Sequence, residues 1–321
     1  MDPFRLLCYN VCGFPWYRTP IRGIVTWITA NADIVALQEV WCRHSTWAAA
    51  FASAGWVFQR PPREHQITGL FGSGLAIAWR STDWTASDAR FYPFLATVGF
   101  DQLATKGWLR VDLCHRRTGA SLRLINTHMQ SDYEVCDELW QHISDPIRMA
   151  QARELATVEA RMPPVPTLVT GDFNTHECLI PGARFLNPQT IPSFPTAEGG
   201  KHLDHIATWC PEWKLLGHEV ATGRTWSDHL PIRWTLAWHP PMVPSQKWKS
   251  TPARVYRSVA QVAAPGDPHP LRSPMVMTER TESSPRAHAG RQTEHRLPAA
   301  VLHPLPNSPP VDAAASMTRP H

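Results

Sequence analysis

The sequence lacks any long uninterrupted apolar run, although 43% of its 321 residues are hydrophobic. No window reaches the roughly 18 apolar residues that a membrane-spanning helix needs, so any membrane contact is expected to be peripheral. The amino-terminal stretch MDPFRLLCYNVCGF has an acidic second residue, and its apolar run is too short for the h-region of a secretory signal. These features predict a cytoplasmic protein that reaches membranes, if at all, from their surface.

Cysteine is sparse, and the sequence shows no internal repeat. The seven cysteines stand at positions 8, 12, 42, 114, 136, 178 and 210. This scatter fits neither a disulfide-rich scaffold nor the paired spacing of a zinc knuckle. We therefore expect most of these cysteines to be reduced and structural.

The carboxyl-terminal part of the chain lacks aromatic residues, with no Phe, Trp or Tyr after Tyr256. From Pro240 to His321 it holds 15 of the 31 prolines, and ten Lys or Arg against five Asp or Glu. Such a segment cannot bury enough apolar area to offset the entropy of ordering, so residues 240–321 are predicted to form a disordered, basic tail after a folded domain of residues 1–239. Its charge suits nucleic acid or anionic lipid, although a solubilising appendage is the simpler interpretation.

The folded part contains many short segments rich in Val, Ile, Leu and Trp, bounded by Gly, Pro or polar clusters. Strands are predicted at RLLCYNV, DIVALQEV, WVFQR, SGLAIAWR, GWLRVDLC, SLRLINTHM, TLVTGDFN, LDHIATW and PIRWTLAW. Helices are predicted over 19–31, with apolar positions 21, 24, 25 and 28, and over 145–161, with apolar positions 147, 150, 155 and 158. Asp145 would cap the second helix, with Pro146 in its first turn. So many strands with few helices indicate two packed sheets with helices outside.

Polar side chains follow several of these strands. They are Asn10, Glu39, His128, Asp172 with Asn174, Asp204, and the pair Asp228 and His229. Taken singly, each has a structural explanation as a cap, a turn residue or a hydrogen-bonded core histidine. Asp172 and Asn174 are two positions apart, so in an extended strand they would project to the same side.

Taken together, these residues form a chemical set. The carboxylates and amides are hard oxygen ligands or amide donors of the kind that suits Mg²⁺, and no thiolate is among them. His128 and His229 supply imidazoles for proton transfer near neutral pH. Cleavage of a phosphate ester needs a metal to neutralise developing charge, a base for water and a donor for the leaving oxygen. The set therefore favours phosphoester hydrolysis.

The order of these motifs resembles the endonuclease/exonuclease/phosphatase superfamily, over about Leu6 to Trp238. The matching words are YNV, LQEV, NTH, GDFN, LDH and SDHLPI. The resemblance implies an α/β fold, a four-layer α/β/β/α sandwich, and divalent-metal-dependent phosphoesterase chemistry with Mg²⁺ or Mn²⁺. Within the superfamily, GFDQLATKGWLRV and THMQSDYEVC followed by DPIRMAQARELATV look like neutral and bacterial-type sphingomyelinases, which implies sphingomyelin hydrolysis to ceramide and phosphocholine.

The resemblance also implies roles for particular residues. Glu39 with Asn10 would hold the metal, supported by Asp228, and Lys106 would contact the substrate phosphate. His229, oriented by Asp204, would be the general base, with Asp172 placing the water or sharing that role. His128 and Asn174 would stabilise the transition state, and His128 would be the proton donor to the leaving oxygen. Without the neighbouring words, Lys106 would be interpreted as an exposed loop residue.

Departures from the sphingomyelinase pattern leave other functions open. The hydrophobic segments of the animal enzymes and the aromatic docking hairpin of the secreted bacterial enzymes are not found. Trp16, Tyr17, Tyr133 and Trp140 lie in loops that could reach a phospholipid surface, although packing against the protein is the simpler expectation for each. A nuclease of the same fold, acting on nucleic acid, is the main alternative, and a non-catalytic binding module is a third. Residues 1–239 have a net charge of −1, which provides little general electrostatic attraction for a polyanion. The sequence gives no oligomeric state.

Overall fold

The computed structural model describes residues 2–61, 70–132, 137–187, 192–196, 199–223 and 226–239, with the backbone alone for residues 137–142. Three α-helices run over Ile21–Asn31 (α1), His44–Ser53 (α2) and Asp137–Glu159 (α3). The strands are Phe4–Asn10 (β1), Ile34–Gln38 (β2), Trp56–Gln59 (β3), Ala76–Arg80 (β4), Trp84–Pro93 (β5), Gly107–His115 (β6), Ser121–His128 (β7), Thr167–Asp172 (β8), Arg184–Phe185 (β9), Asp204–Thr208 (β10), Trp213–Val220 (β11) and Ile232–Trp238 (β12). A short 3₁₀ helix covers Gly99–Leu103.

The strands form two six-stranded sheets. The order is β11-β12-β1-β2-β4-β3 in the first sheet and β5-β6-β7-β8-β10-β9 in the second. Each sheet has one parallel pair near its centre, β1 with β2 and β7 with β8, and its other neighbouring strands are antiparallel. The two parallel pairs each bring two carboxyl-terminal strand ends to the same edge of a sheet.

Three apolar clusters separate four layers, in the order α1 and α2, first sheet, second sheet, α3. One cluster joins the two sheets, and the other two join each sheet to its own helices. Strand β1 shows how the sequence achieves this. Leu6 and Cys8 point into the cluster between the sheets, whereas Leu7 and Tyr9 point toward the helices, because successive side chains of a strand face opposite sides. The predicted four-layer α/β/β/α sandwich is confirmed.

The nine predicted strands are present, with bounds shifted by up to three residues, but several elements were not predicted. These are the 3₁₀ helix, α2, β5, β9 and β11. Strand β5 contains the polar stretch TASDAR and has only two buried residues out of ten, and β11 is an edge strand with two buried residues out of eight. Strands with little apolar content give a weak period-2 signal, which explains why pattern alone missed them.

The predicted start of the long helix is wrong. Helix α3 begins at Asp137, so Pro146 lies inside it and Asp145 is not its cap. A proline inside a helix removes one backbone donor and usually bends or ends the helix. Here tertiary contacts hold the turn that contains it, since Arg148 donates to the carbonyl of Gln130 at 3.0 Å and to Asp132 at 2.8 Å.

The predicted buried face of α3 is only partly correct, since Leu155 is buried in an apolar cluster and Val158 packs against it, but the other two predicted positions are not buried. Ala150 is exposed and Ile147 only half-buried, whereas Ser144, Arg148 and Gln151 are buried.

Among the helices that the structure describes, none is long and apolar enough to span a membrane. The six cysteines of the described segments are free. Cys136 and residues 240–321 lie outside the described residues, and residue 239, the proposed boundary, is the last one described. The tail and its disorder therefore stay predictions.

Candidate active site

The parallel pairs bring polar residues of both sheets to one edge. In the first sheet Asn10 is level with Gln38, so Glu39 follows directly beside it. In the second sheet His128 is level with Asp172. A hydrogen bond from Asn10 Nδ2 to Asp172 Oδ2, 3.1 Å long, joins the two sheets at this edge. The carboxyl ends of four strands therefore meet in one place.

Antiparallel neighbours add the remaining groups by beginning where the parallel strands end. Asp204 opens β10 opposite Asp172, and Lys106 comes directly before β6, whose first residue pairs with His128. Strand β12 runs against β1, so the preceding segment passes beside Asn10, where Ser227 Oγ donates to the Asn10 carbonyl at 2.7 Å. This segment delivers Asp228 and His229 to the same edge.

A cavity of about 640 Å³ opens at this edge. Seven of the nine predicted site residues line it: Glu39, Lys106, His128, Asp172, Asn174, Asp228 and His229. The other two lie directly behind. Asn10 contacts Glu39 and Asp172, and Asp204 contacts His229. The structure thus brings all nine residues together.

Asp172 and Asn174 face one cavity for a different reason from the predicted one. Strand β8 ends at Asp172, and Asn174 has a φ of 51°, in the left-handed region that residues other than glycine rarely adopt. The Asn174 backbone N–H donates to Asp172 Oδ1 at 2.9 Å, so the carboxylate itself fixes the turn. Gly171 permits the approach of β8 to β7, since a Cβ there would lie 1.9 Å from the Thr127 carbonyl oxygen.

Asn10 and Glu39 form the part of the site that comes from the first sheet. Asn10 Nδ2 donates to Glu39 Oε1 at 3.0 Å as well as to Asp172, while Cys12 N–H donates to Asn10 Oδ1 at 3.1 Å and so fixes the orientation of the amide. Burial raises the pKa of Glu39, the Asn10 bond and Lys106 oppose the rise, and Asp228 adds to it. Two carboxylates thus face one space and repel each other there, which a bound cation would relieve.

His229 and Asp204 form a buried pair. His229 Nδ1 lies 2.7 Å from Asp204 Oδ2, so the imidazole donates there and turns Nε2 toward Asp172 Oδ2, 3.5 Å away. Burial lowers the pKa of His229, but the carboxylates of Asp204, Asp172 and Asp228 outweigh it and raise the pKa to about 10. Phe194 packs edge-on against the ring at 4.9 Å between centroids. The pair has the geometry of a histidine acid or base with an orienting carboxylate.

His128 and Asp172 are shifted in opposite senses. Burial, Lys106 and His229 together hold the pKa of His128 well below its usual value, so its imidazole is neutral at neutral pH. Burial raises the pKa of Asp172 to about 7, with Asp204 adding to the rise and His229, Lys106 and Asn10 opposing it. His128 Nε2 lies 3.6 Å from Asp172 Oδ2. A neutral imidazole and a carboxyl poised near neutrality are suited to hydrogen bonding and proton exchange, respectively.

Lys106 is not an exposed loop residue, since only 2% of its surface is accessible. Its ammonium lies 3.3 Å from Asp101 Oδ1 and donates to the Met129 carbonyl at 3.2 Å. Asp101 is held in turn by the Ser131 backbone N–H and hydroxyl, both at 2.8 Å. A buried ammonium at the wall of a cavity is placed for an anionic ligand, and the alternative interpretation from sequence was wrong.

Sequence reasoning missed most of the outer wall of the cavity, which we call the aromatic rim. It consists of Phe14, Trp16, Trp41, Phe71 and Phe100. Trp16 is 66% exposed and Phe100 73% exposed, so the expectation that Trp16 packs inside the protein was wrong. Tyr17, beside Phe14, is 46% exposed. The side chains of Tyr133 and Trp140 lie outside the described residues.

Three further charged wall residues were also missed. Asp101 lies within the quoted segment GFDQLATKG, and its charge opposite to that of Lys106 was the signal that could have found it. Asp132 lies within the quoted segment THMQSDYEVC but was not singled out there, and Lys201 lines the cavity from a segment without a recognisable motif. Loop residues of this kind reach a site through tertiary folding, and no local pattern marks them.

Two groups of residues could hold a divalent cation. One is the pair of carboxylates Glu39 and Asp228, whose mutual repulsion has been described. The other is Asp172, Asp204 and His229, whose ligand atoms lie within 4.8 Å of one another. A cation at the second group would compete with the 2.7 Å bond between His229 and Asp204. The all-oxygen first group is the better match to a hard cation such as Mg²⁺.

Solved structures share this fold at low sequence identity. Sphingomyelinase C from Streptomyces griseocarneus aligns with a TM-score of 0.55 and 16% identity, over 73% of this chain and 99% of that one. TDP2 of D. rerio, complexed with a single-strand DNA product, aligns with a TM-score of 0.56 and 16% identity, over 74% and 100%. A beta toxin mutant from Staphylococcus aureus with bound magnesium ions aligns with a TM-score of 0.54 and 17% identity, over 73% and 99%. At such identities these likenesses establish the fold and leave the substrate undetermined.

A comparison with the curated proteins finds no match to this sequence. A family model does match, over residues 7–262, and this span includes every residue of the site just described. The layered fold, the convergence of the motif residues on one cavity and the extent of the match agree. The chain therefore belongs to the Endonuclease/Exonuclease/phosphatase family and has its phosphodiesterase-type fold.

Proposed function

We propose that this protein is a divalent-metal-dependent phosphodiesterase that hydrolyses sphingomyelin to ceramide and phosphocholine. The observation that carries the proposal is the continuity of one cavity from buried polar residues at its floor to the aromatic rim, where Trp16 and Phe100 are exposed. The floor matches a phosphodiester, whereas the rim matches a substrate with a large apolar part. Trp and Tyr with exposed rings are also suited to the boundary between water and lipid.

Glu39 and Asp228 would hold the metal, with Mg²⁺ the expected ion and Mn²⁺ a substitute. When bound, a divalent cation would supply positive charge that polarises the phosphoryl group. Asn10 donates to both Glu39 and Asp172, so in this arrangement it holds the two carboxylates in place. Its predicted role on the metal side stays a prediction.

His229 would accept a proton from water at Nε2, because its Nδ1 proton is held by Asp204. With a pKa of about 10 the ring is protonated at neutral pH, so it becomes a base only after positive charge in the cavity has lowered that pKa. Asp172, with a pKa of about 7, lies 3.5 Å from His229 Nε2 and can share the proton.

Lys106, Asn174 and His128 would hold the phosphate oxygens. Lys106 supplies a buried ammonium, and Asn174 supplies an amide at the same wall. His128 is neutral because its pKa is lowered, so it would donate a hydrogen bond more readily than a proton. The proposal therefore keeps its role in stabilising the transition state and does not depend on its predicted role as proton donor to the leaving oxygen.

A nuclease activity is the alternative that a specific observation favours. Exposed rings such as Trp16 and Phe100 can stack on unpaired bases as well as contact lipid. Against it, residues 1–239 have a net charge of −1, which leaves little general attraction for a polyanion.

The test compares substrates under one set of conditions. Purified protein with Mg²⁺ is incubated separately with sphingomyelin vesicles, phosphatidylcholine vesicles, single-stranded DNA and a soluble aryl phosphodiester, and products are identified by mass spectrometry. We expect phosphocholine and ceramide, and inhibition by EDTA. His229→Ala serves as the control for contaminating activity. Cleavage of DNA with intact sphingomyelin would replace the lipid proposal with the nuclease one, and full turnover in EDTA would rule out the metal.

A further inference from the structure

Over part of its length, helix α3 uses polar side chains to contact the loops that follow β5 and β7. Ser144, Arg148 and Gln151, spaced four and three residues apart, lie on one buried face, with Gln151 0% exposed. Farther along, the same helix buries Ala152 and Leu155 in an apolar cluster. Fully buried amides are costly unless they are hydrogen-bonded, so the partners of Gln151 indicate what this face is for.

Gln151 holds a single peptide unit beside the cavity. Its Oε1 accepts the Gln130 backbone N–H at 2.9 Å, and its Nε2 donates to the Ala96 carbonyl at 2.7 Å. The Gln130 N–H belongs to the same planar peptide as the Met129 carbonyl. Fixing the N–H on one side therefore fixes the direction of the carbonyl on the other.

The Met129 carbonyl is the acceptor shared by two cavity residues. Lys106 Nζ donates to it at 3.2 Å, and Asn174 Nδ2 donates to it at 3.1 Å. Because Gln151 accepts from the other end of the peptide, it also polarises this carbonyl and makes it a better acceptor. One peptide thus sets the position of both donors.

The arrangement leaves donors for a ligand. An ammonium has three N–H groups, and Lys106 directs two of them to Asp101 and Met129. A primary amide has two, and Asn174 directs one of them to Met129. Each side chain keeps one N–H that can point into the cavity.

We infer that Gln151 is a positioning residue, which does not line the cavity but aims the donors of Lys106 and Asn174 at a bound phosphate through the peptide of Met129 and Gln130. The inference rests on the proposed function in one respect, that these two donors bind phosphate. Gln151 acts on the reaction only through them.

Three variants separate this role from a general effect on stability. Gln151→Met keeps the volume and removes the acceptor. Gln151→Glu keeps the acceptor, and burial favours its protonated form, which can still donate to Ala96. Leu155→Ala, on the same helix, destabilises α3 without touching the loop and is the matched control. All are assayed with Mg²⁺ and a soluble phosphodiester, at a temperature where melting curves show them folded.

We expect Gln151→Met to lower kcat/KM by about 10- to 100-fold, while Gln151→Glu and Leu155→Ala stay within about threefold of wild type. The loss should be coupled to the two donors. In a Lys106→Met/Asn174→Ala background, Gln151→Met should cost less than about threefold, because residues acting through one contact are not additive. If Gln151→Met caused the same loss of kcat/KM in both backgrounds, or had wild-type kinetics, the inference about Gln151 would be wrong. The proposed function would be unaffected.

Two readouts do not need turnover. Hydrogen exchange at the Gln130 amide should accelerate in Gln151→Met and stay slow in Gln151→Glu, and the affinity for inorganic phosphate, measured by calorimetry, should fall only in Gln151→Met. If the wild-type protein cleaves no phosphodiester yet binds phosphate in this Gln151-dependent way, the proposed function fails and the inference holds. A wild-type protein that neither cleaves nor binds phosphate overturns both.

Discussion

At the floor of the cavity, polar side chains from the two sheets form hydrogen bonds with one another, whereas at the aromatic rim four rings pack against one another. Asn10 of the first sheet donates to Asp172 of the second. At the rim, Phe14 stacks on Trp16 with 4.7 Å between centroids and lies 5.9 Å from Trp41. The floor stands on strand ends, and the rim stands on loops.

This difference assigns different tasks to the two regions. Strand ends are held by the sheets on both sides, so the floor can keep the tight geometry that bond cleavage needs. Loops tolerate change and lie at the surface, so they are where members of one fold come to differ in substrate. A substitution in the floor should therefore affect every substrate, and one in the rim should affect only some.

The largest expected effect is at His229. His229→Ala removes the proposed base and should lower kcat by about 10²- to 10⁴-fold on lipid and soluble substrates alike. Asp204→Asn keeps the imidazole but weakens its orientation, so its loss should be smaller. Steady-state kinetics with both substrates measure this. If His229→Ala lost activity on vesicles alone, the division between floor and rim would be wrong.

Glu39 should come next, through the metal. EDTA is expected to abolish turnover, and Mg²⁺ or Mn²⁺ to restore it. Glu39→Gln should raise the metal concentration for half-maximal activity by at least about tenfold, since loss of outer-shell partners alone costs about 10- to 100-fold in metal affinity. Metal titrations of wild type and variant provide the measurement. An unchanged titration curve would move the metal to the group of Asp172, Asp204 and His229.

Lys106 should have an intermediate effect. Lys106→Met keeps the apolar stem and removes the ammonium, so kcat/KM on a soluble phosphodiester should fall by about 10- to 1000-fold. Because Lys106 is buried beside Asp101, the melting temperature should fall as well. Kinetics well below the melting transition separate the two effects. If Lys106→Met hydrolysed sphingomyelin at the wild-type rate, the sphingomyelinase interpretation of this segment would be wrong, and the family assignment would be unaffected.

The smallest and most selective effect is expected at the rim. Trp16→Ala and Phe100→Ala should each lower the turnover of sphingomyelin in vesicles by about tenfold, because each removes aromatic area that the lipid would partly cover. The turnover of a soluble phosphodiester should not change. Leu216→Ala is the matched control, because Leu216 is 55% exposed and does not line the cavity. Vesicle sedimentation measures binding in parallel. A loss on single-stranded DNA but not on vesicles would point to base stacking.

The floor could be predicted from sequence because its residues follow strands in a fixed order. Glu39 directly follows a buried strand and Asp172 ends one, and the strand ends of parallel pairs meet. The rim could not be predicted, because the exposure of Trp16 depends on which loops come together after folding. The sequence likewise did not show that Lys106 would be buried. Its partner Asp101 lies in the same short segment, but only the folded loop places the carboxylate against the ammonium.

The helices show the same limit. The apolar face of α1, including Ile24 and Ile28, was predicted correctly because it packs on an apolar sheet surface. In α3 the prediction was correct for Leu155, but it failed earlier in the helix, where the partners are peptide groups of a loop and polar residues such as Arg148 and Gln151 are buried. Apolar periodicity identifies a helix that packs on a sheet and fails for one that supports a loop.

The place of β12 beside β1 has a consequence for how the site comes into being. The last described strand lies next to the first, and the segment that leads into it carries His229. More than 200 residues of the growing chain must therefore be synthesised before β1 and β12 can pair, a contact of very long sequence separation of the kind that slows folding. Until that pairing is complete, His229 is not held beside Asn10 and Asp172, so a chain that ends before β12 is expected to lack the candidate site. If the proposed activity is present, it should appear only after β12 has been synthesised.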